Sequence, residues 1–186
     1  MKSLKKEIFS IPNLMGYFRI ILIPLFLYIY YNATSVKDYY IVACIICISG
    51  ITDFLDGYIA RNFNMITELG KFIDPVADKL TQAALVFSLA SRYKLMWYIV
   101  GLFIIKEGFM AVMGIIMLGK GKKLDGAMWF GKLCTAVLYI VMFILMLFPI
   151  MNSDMANFLI IVCGIFMLIS LILYIPVFYR MYKLIK

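Results

Sequence analysis

ITDFLDGYIARNFNMITELGKFIDPVADKL, residues 51–80, sets Asp53, Asp56, Asp74 and Asp78 into sequence otherwise patterned as two apolar helices joined by a turn. A charged aspartate at the centre of a bilayer costs about 2.5–3.5 kcal/mol on insertion scales. A cluster of them demands something that offsets that cost. At about 100° per residue, Asp53 lies roughly 60° to one side of Asp56, and Gly57 and Ala60 fall on the same arc. Asp74 and Asp78 form an i, i+4 pair on one face of the following helix. With a rise of ~1.5 Å per residue, Asp56 and Asp53 lie roughly 8 and 12 Å inside the Arg61/Asn62 end of their helix. Asp74 and Asp78 lie roughly 6 and 12 Å inside the Gly70 end of theirs. Two antiparallel helices with a short connection therefore bring all four acids to one level.

Carboxylates gathered in this way repel one another unless cations bind them. Oxygen donors without nitrogen or sulfur suit hard cations such as Mg²⁺, Mn²⁺ or Ca²⁺. Two divalent ions would balance the charge, and such a pair is a recurrent device for displacement at phosphorus. Gly57 and Ala60 take side-chain bulk away beside the acids, which lets a phosphate or nucleotide approach the backbone. The competing reading is a set of buried acids paired with Arg19, Lys79 or Lys106.

The rest of the chain supplies the setting. Of 186 residues, 65% are hydrophobic and 15% charged. The mean hydropathy is +0.99. That leaves too little polar sequence to cover a soluble globule. Apolar runs of bilayer-spanning length lie near 12–31, 38–62, 71–91, 95–118, 127–148 and 154–178. The expected fold is all-α: one integral membrane domain over 1–186, a bundle of six transmembrane helices preceded by a short interfacial helix at residues 2–10. Pro12, Asn13, Arg19 and Pro24 interrupt the first run, which reads as a retained helix rather than a signal peptide.

Basic residues orient the spans. Lys2, Lys5, Lys6, Arg61, Lys71, Lys120, Lys122, Lys123, Lys132, Arg180, Lys183 and Lys186 fall on one side; Lys37, Arg92 and Lys94 fall on the other. The positive-inside rule puts both termini, and with them the acid cluster, at the cytoplasmic face. The formal net charge of +8 belongs to this anchoring and to anionic membrane lipid. With no aromatic–basic motif, nucleic acid is not an expected partner. The chain has no histidine, which excludes histidine-based triads, His-ligated metals and His-ligated haem. Cys44, Cys47, Cys134 and Cys163 lie in apolar runs and read as packed hydrophobic side chains rather than a disulfide or zinc framework.

Asp53-x-x-Asp56-Gly57-x-x-Ala60-Arg61, followed after eight residues by Gly70-x-x-x-Asp74-x-x-x-Asp78, resembles the signature of the CDP-alcohol phosphotransferase family at every fixed position. The six-span length and the Ile11-Pro12-Asn13 opening extend the resemblance over most of the chain. It implies transfer of a phosphatidyl group from CDP-diacylglycerol to an alcohol acceptor, with release of CMP. It implies two divalent cations, Mg²⁺ or Mn²⁺, on Asp53, Asp56, Asp74 and Asp78, with Asp78 also the general base for the acceptor hydroxyl. It implies a CDP site from Asn13, Asp53, Gly57, Ala60, Arg61 and Gly70, and a homodimer in the bacterial cytoplasmic membrane.

Within the family the likeness is strongest to the branch that uses glycerol 3-phosphate and makes phosphatidylglycerophosphate. Arg19, Lys106 and Lys132 are the candidate contacts for the acceptor phosphate. The chain departs from that branch where Gly16 replaces a threonine, Lys106-Glu107 replaces Arg-Glu, Gly114 replaces an arginine and Cys134 replaces a lysine. The lost cations make phosphatidylglycerol, giving cardiolipin, the alternative acceptor. Lys106 and Glu107, adjacent on a helix, are each expected to need another partner. A cation or proton transporter running on the aspartates is the alternative from another class. It lacks a matching relay in the outer halves of the spans.

Overall fold

The computed structural model describes residues 8–121, 126 and 128–183, and among them the secondary structure is helical, without strands. The helices are α1 (Ile11–Tyr31), α2 (Val36–Asn62), α3 (Glu68–Ala90), α4 (Met96–Gly119), α5 (Trp129–Leu147) and α6 (Ser153–Lys183). All but α3 are long and apolar enough to cross a membrane. At 23 residues α3 has the length, but Asp74, Asp78 and Lys79 break its apolar run. The spans expected from the sequence match these helices to within a few residues. The largest difference is at α6, which continues past 178 to Lys183. Arg180 and Lys183 occupy its last turn, where cations face the negative end of the helix dipole. Most of the expected interfacial helix at residues 2–10, and Lys122, Lys123 and Lys186, lie outside the described residues.

The chain folds as two compact units. The first runs to Ser88 and includes Met146–Pro149; the second comprises Leu89–Leu145 and Ile150–Lys186. In the first unit α1 packs along α2. Its buried side chains recur every three or four residues: Asn13, Gly16, Arg19, Leu22, Phe26 and Tyr30. The buried face of α2 runs Val42, Ile46, Ser49, Thr52 and Asp56. Asp56 is therefore the last member of a packing stripe, and Asp53, off that stripe, is exposed. Cys44 and Cys47 are free and exposed, which corrects the expectation that they pack; Cys134 and Cys163 are buried.

Local chemistry fixes the ends of α2. Asp38 accepts hydrogen bonds from the backbone N–H of Ser35 (2.8 Å) and of Thr34 (2.9 Å) at its start. At its finish Asn64 adopts φ 51°, a left-handed conformation that Asn tolerates, and the Met65 N–H donates to Ala60 O at 3.0 Å. That reversal sends the chain back into α3 within a few residues. It sets Asp74 and Asp78 beside the end of α2.

The approach of α3 to α1 is close. A β-carbon on Gly16 would stand 2.7 Å from Ile73 Cγ2, well inside van der Waals contact. This accounts for glycine where the family's pattern has threonine. Gly16→Thr is expected to destabilise the protein by about 1–3 kcal/mol through overpacking. In an Ile73→Ala background, where that space is free, Gly16→Thr should cost much less. Thermal unfolding in detergent of the single and double variants checks this; equal loss from Gly16→Thr in both backgrounds would show that the two side chains do not compete for space.

In the second unit α4 packs on α6. Phe130 meets Tyr174 edge to face at 4.7 Å, and Met117 and Phe178 complete that core cluster.

Candidate active site

Arg19 stands at the centre of the first unit's polar end. It is 2% exposed. Its guanidinium pairs with Asp53 through Nη1, and Nη2 donates to Asp56 Oδ2 at 3.0 Å. Asp74 Oδ1 is 3.6 Å from the same Nη2. One residue of α1 thus draws together acids from the end of α2 and the start of α3. The three acids differ in burial. Asp56 is 3% exposed, whereas the side chains of Asp53 and Asp74 are 53% and 43% exposed. Asp56 forms the floor of the cluster, and Asp53 and Asp74 form an open rim.

Asp78 is held differently. Its Oδ2 accepts a hydrogen bond from Gln82 Nε2 at 2.8 Å, and Lys79 Nζ lies 3.8 Å from the same oxygen. The expected four-acid assembly is therefore a set of three on Arg19 with Asp78 one turn further along α3. Among the described residues no three of His, Cys, Asp or Glu stand close enough together to hold one metal ion. The acids are spaced by the guanidinium between them.

The residues expected at a nucleotide site fall into two groups. Asn13 is buried on α1, and Thr67 Oγ1 donates to its Oδ1 at 3.1 Å. The same Thr67 oxygen accepts from the Gly70 N–H at 2.9 Å, capping α3. A β-carbon on Gly70 would stand 2.6 Å from Asn13 Oδ1, so glycine is required for the approach. On α2, Arg61 Nε donates to Gly57 O at 2.9 Å, one turn back, and Ala60 follows the same arc. Thr67 and Gln82 were not among the residues singled out from the sequence. Thr67 had a signal, a threonine three residues before Gly70 at the start of a helix. Gln82 had one too, at i+4 from Asp78.

Lys106 and Lys132 belong to the second unit. Lys106 is buried, and its Nζ donates to Glu107 Oε1 at 2.6 Å. The adjacent side chains therefore meet as well: the i, i+1 rule concerns Cβ directions, and two flexible stems can fold round to each other. Lys132 is exposed near the start of α5. Cys134 is buried and Gly114 faces open space.

A family model described as CDP-alcohol phosphatidyltransferase matches residues 9–176. A CDP-diacylglycerol–glycerol-3-phosphate 3-phosphatidyltransferase of Escherichia coli (strain K12) is 34% identical over 130 residues, covering 68% of this chain and 71% of the relative. The protein of the same name in Shigella sonnei (strain Ss046) is similar to the same extent. A match that begins before α1 and ends within α6, joined to a relative a third identical over two thirds of both chains, decides the family. The chain is an integral membrane member of the CDP-alcohol phosphatidyltransferases.

Proposed function

We propose that the protein transfers the phosphatidyl group of CDP-diacylglycerol to a hydroxyl of glycerol 3-phosphate, forming phosphatidylglycerophosphate and releasing CMP. The observation that carries this is the convergence of Asp53, Asp56 and Asp74 on one end of the first unit, with Asp78 one turn away on α3. The names of the similar proteins support the donor and the acceptor.

Two divalent cations, Mg²⁺ or Mn²⁺, belong to this reading, held by Asp53, Asp56, Asp74 and Asp78. The donors fit. They are hard carboxylate oxygens. Asp74 Oδ1 is buried without a hydrogen-bond partner, at a place that already attracts a cationic group. Bound there, the ions would neutralise pyrophosphate oxygens and the charge developing on CMP.

The remaining steps fall to the chain. The nucleotide lies along Asn13, Asp53, Gly57, Ala60, Arg61 and Gly70, where glycines keep the surface low. The acceptor oxygen attacks the phosphorus that carries the diacylglycerol ester. The bond from that phosphorus to the bridging oxygen breaks, CMP leaves with the electron pair, and the hydroxyl proton passes to Asp78. Within the first unit, Arg19, the cation that meets the acids, is the one offered to the acceptor phosphate. Both termini lie on the cytoplasmic side of a bacterial membrane, as the basic residues suggest, and the working unit is a homodimer.

The pairing of Lys106 with Glu107 and the burial of Cys134 favour a second acceptor, phosphatidylglycerol, which brings no free phosphomonoester to be held. The transporter alternative falls with membership of a transferase family. The test is CMP release by purified protein from CDP-diacylglycerol with Mg²⁺ or Mn²⁺, glycerol 3-phosphate being compared with phosphatidylglycerol. Stimulation by glycerol 3-phosphate is expected. Stimulation by phosphatidylglycerol alone would move the protein to cardiolipin formation, and no release with either would overturn the transferase reading of the site.

A further inference from the structure

Gln82 is 1% exposed, yet it carries an amide into the apolar interior of the first unit. A buried amide is tolerated only when its polar atoms are met. Here they are met from its own helix. Nε2 donates to Asp78 Oδ2 at 2.8 Å, and Oε1 accepts from Lys79 Nζ at 3.4 Å. The first is the short, charge-assisted contact and the second is at the long limit. The amide has one sensible orientation. Turned over, it would set an oxygen against the carboxylate and an NH₂ against the ammonium.

A one-turn spacing on α3 therefore ties the Asp78 carboxylate to a buried, immobile donor. Asp78 itself is accessible, with a side chain 29% exposed. The eight-position signature from Asp53 to Asp78 does not include position 82, so the signature does not demand this tie.

We infer that Gln82 is a positioning residue for phosphatidyl transfer: its amide fixes the Asp78 carboxylate in the orientation that receives the acceptor proton. The inference rests on the assignment of Asp78 as general base. Without the tie, the carboxylate loses its short contact to a buried donor while Lys79 stays 3.8 Å from the same oxygen, and its orientation toward the acceptor is less closely set. Small misplacements of a reacting group cost up to about a hundredfold in rate.

The test uses the full chain in detergent with CDP-diacylglycerol, the better acceptor and Mg²⁺. Gln82→Met keeps length and packing but removes the donor. Gln82→Glu keeps the shape and sets an acceptor against Asp78. Both are expected to lower kcat about tenfold to a hundredfold with KM for the lipid donor unchanged. The solvent deuterium isotope effect on kcat should rise as proton transfer becomes limiting. Thermal unfolding reports folding, and Asp78→Asn is assayed beside them. Wild-type kcat in either folded Gln82 variant overturns the inference, as does a change confined to KM. Failure of both to fold assigns Gln82 to the fold and overturns it too. If Asp78→Asn turns over like wild type, the base assignment itself fails and takes the positioning role with it. If Asp78→Asn is inactive and the Gln82 variants are normal, only the positioning role falls.

Discussion

Asp78→Asn is expected to lower CMP release by about a thousandfold while the protein still inserts and folds. The size follows from the role. A positioned general base contributes about 10²–10⁴ in rate, and an amide cannot take the acceptor proton. The retention of fold follows from the surroundings. Asp78 is partly exposed, and asparagine keeps a carbonyl that can accept from Gln82. Asp38→Asn is the proper control. Asp38 accepts hydrogen bonds at the start of α2, away from the site, and asparagine there also keeps an acceptor carbonyl, so turnover should be unchanged. The measurement is CMP release per folded protein, with helicity followed by circular dichroism in the same detergent. Turnover of Asp78→Asn within tenfold of wild type would remove Asp78 from proton transfer.

The positions of the helices were legible in the sequence because bilayer-length apolar runs leave few alternatives. Which face of each helix is buried was partly legible. Asn13, Gly16 and Arg19 recur at intervals of three, so a single stripe along α1 carries the glycine that admits α3 and the arginine that meets the acids. Taken from the sequence, those residues stand apart, Arg19 as a phosphate contact or, in the competing reading, the partner of the acids that it is here, and Gly16 as a departure from a family pattern. The acids were legible as a cluster through their depth and spacing. Their division into three on Arg19 and one on Gln82 was not. Depth places carboxylates at a level, but which cation each meets depends on side-chain reach across helices. Lys106 and Glu107 make the same point in the other direction, since the direction of their β-carbons argued against a contact that flexible stems make at 2.6 Å. The exposure of Cys44 and Cys47 was hidden because a span that is apolar all round does not show which side faces its neighbours.

Arg19→Met is expected to be the most destabilising single change in the first unit, costing about 3–5 kcal/mol, the range for removing one partner of a buried ion pair. The loss is not shared equally among the three acids. Asp53 and Asp74 have side chains 53% and 43% exposed, and their contacts with Arg19 are worth little in the presence of solvent and salt. Asp56, at 3% exposure and 3.0 Å from Nη2, is the carboxylate left without its cation. The cost should therefore depend on Asp56. In an Asp56→Asn background, Arg19→Met should lose much less, and the double-mutant cycle should show a coupling of about 2–3 kcal/mol. Arg19→Lys should fall between, since an ammonium keeps the charge but cannot fork between two carboxylates. If the same carboxylates also hold divalent cations, Mg²⁺ should raise the unfolding temperature of Arg19→Met more than that of wild type, because the ion would then meet acids with no competing guanidinium. Thermal unfolding in detergent, with chelator and with Mg²⁺, reads both effects. Additive losses in the cycle would separate Arg19 from Asp56. Equal Mg²⁺ shifts in wild type and variant would separate the guanidinium from the cation-binding role proposed for the acids.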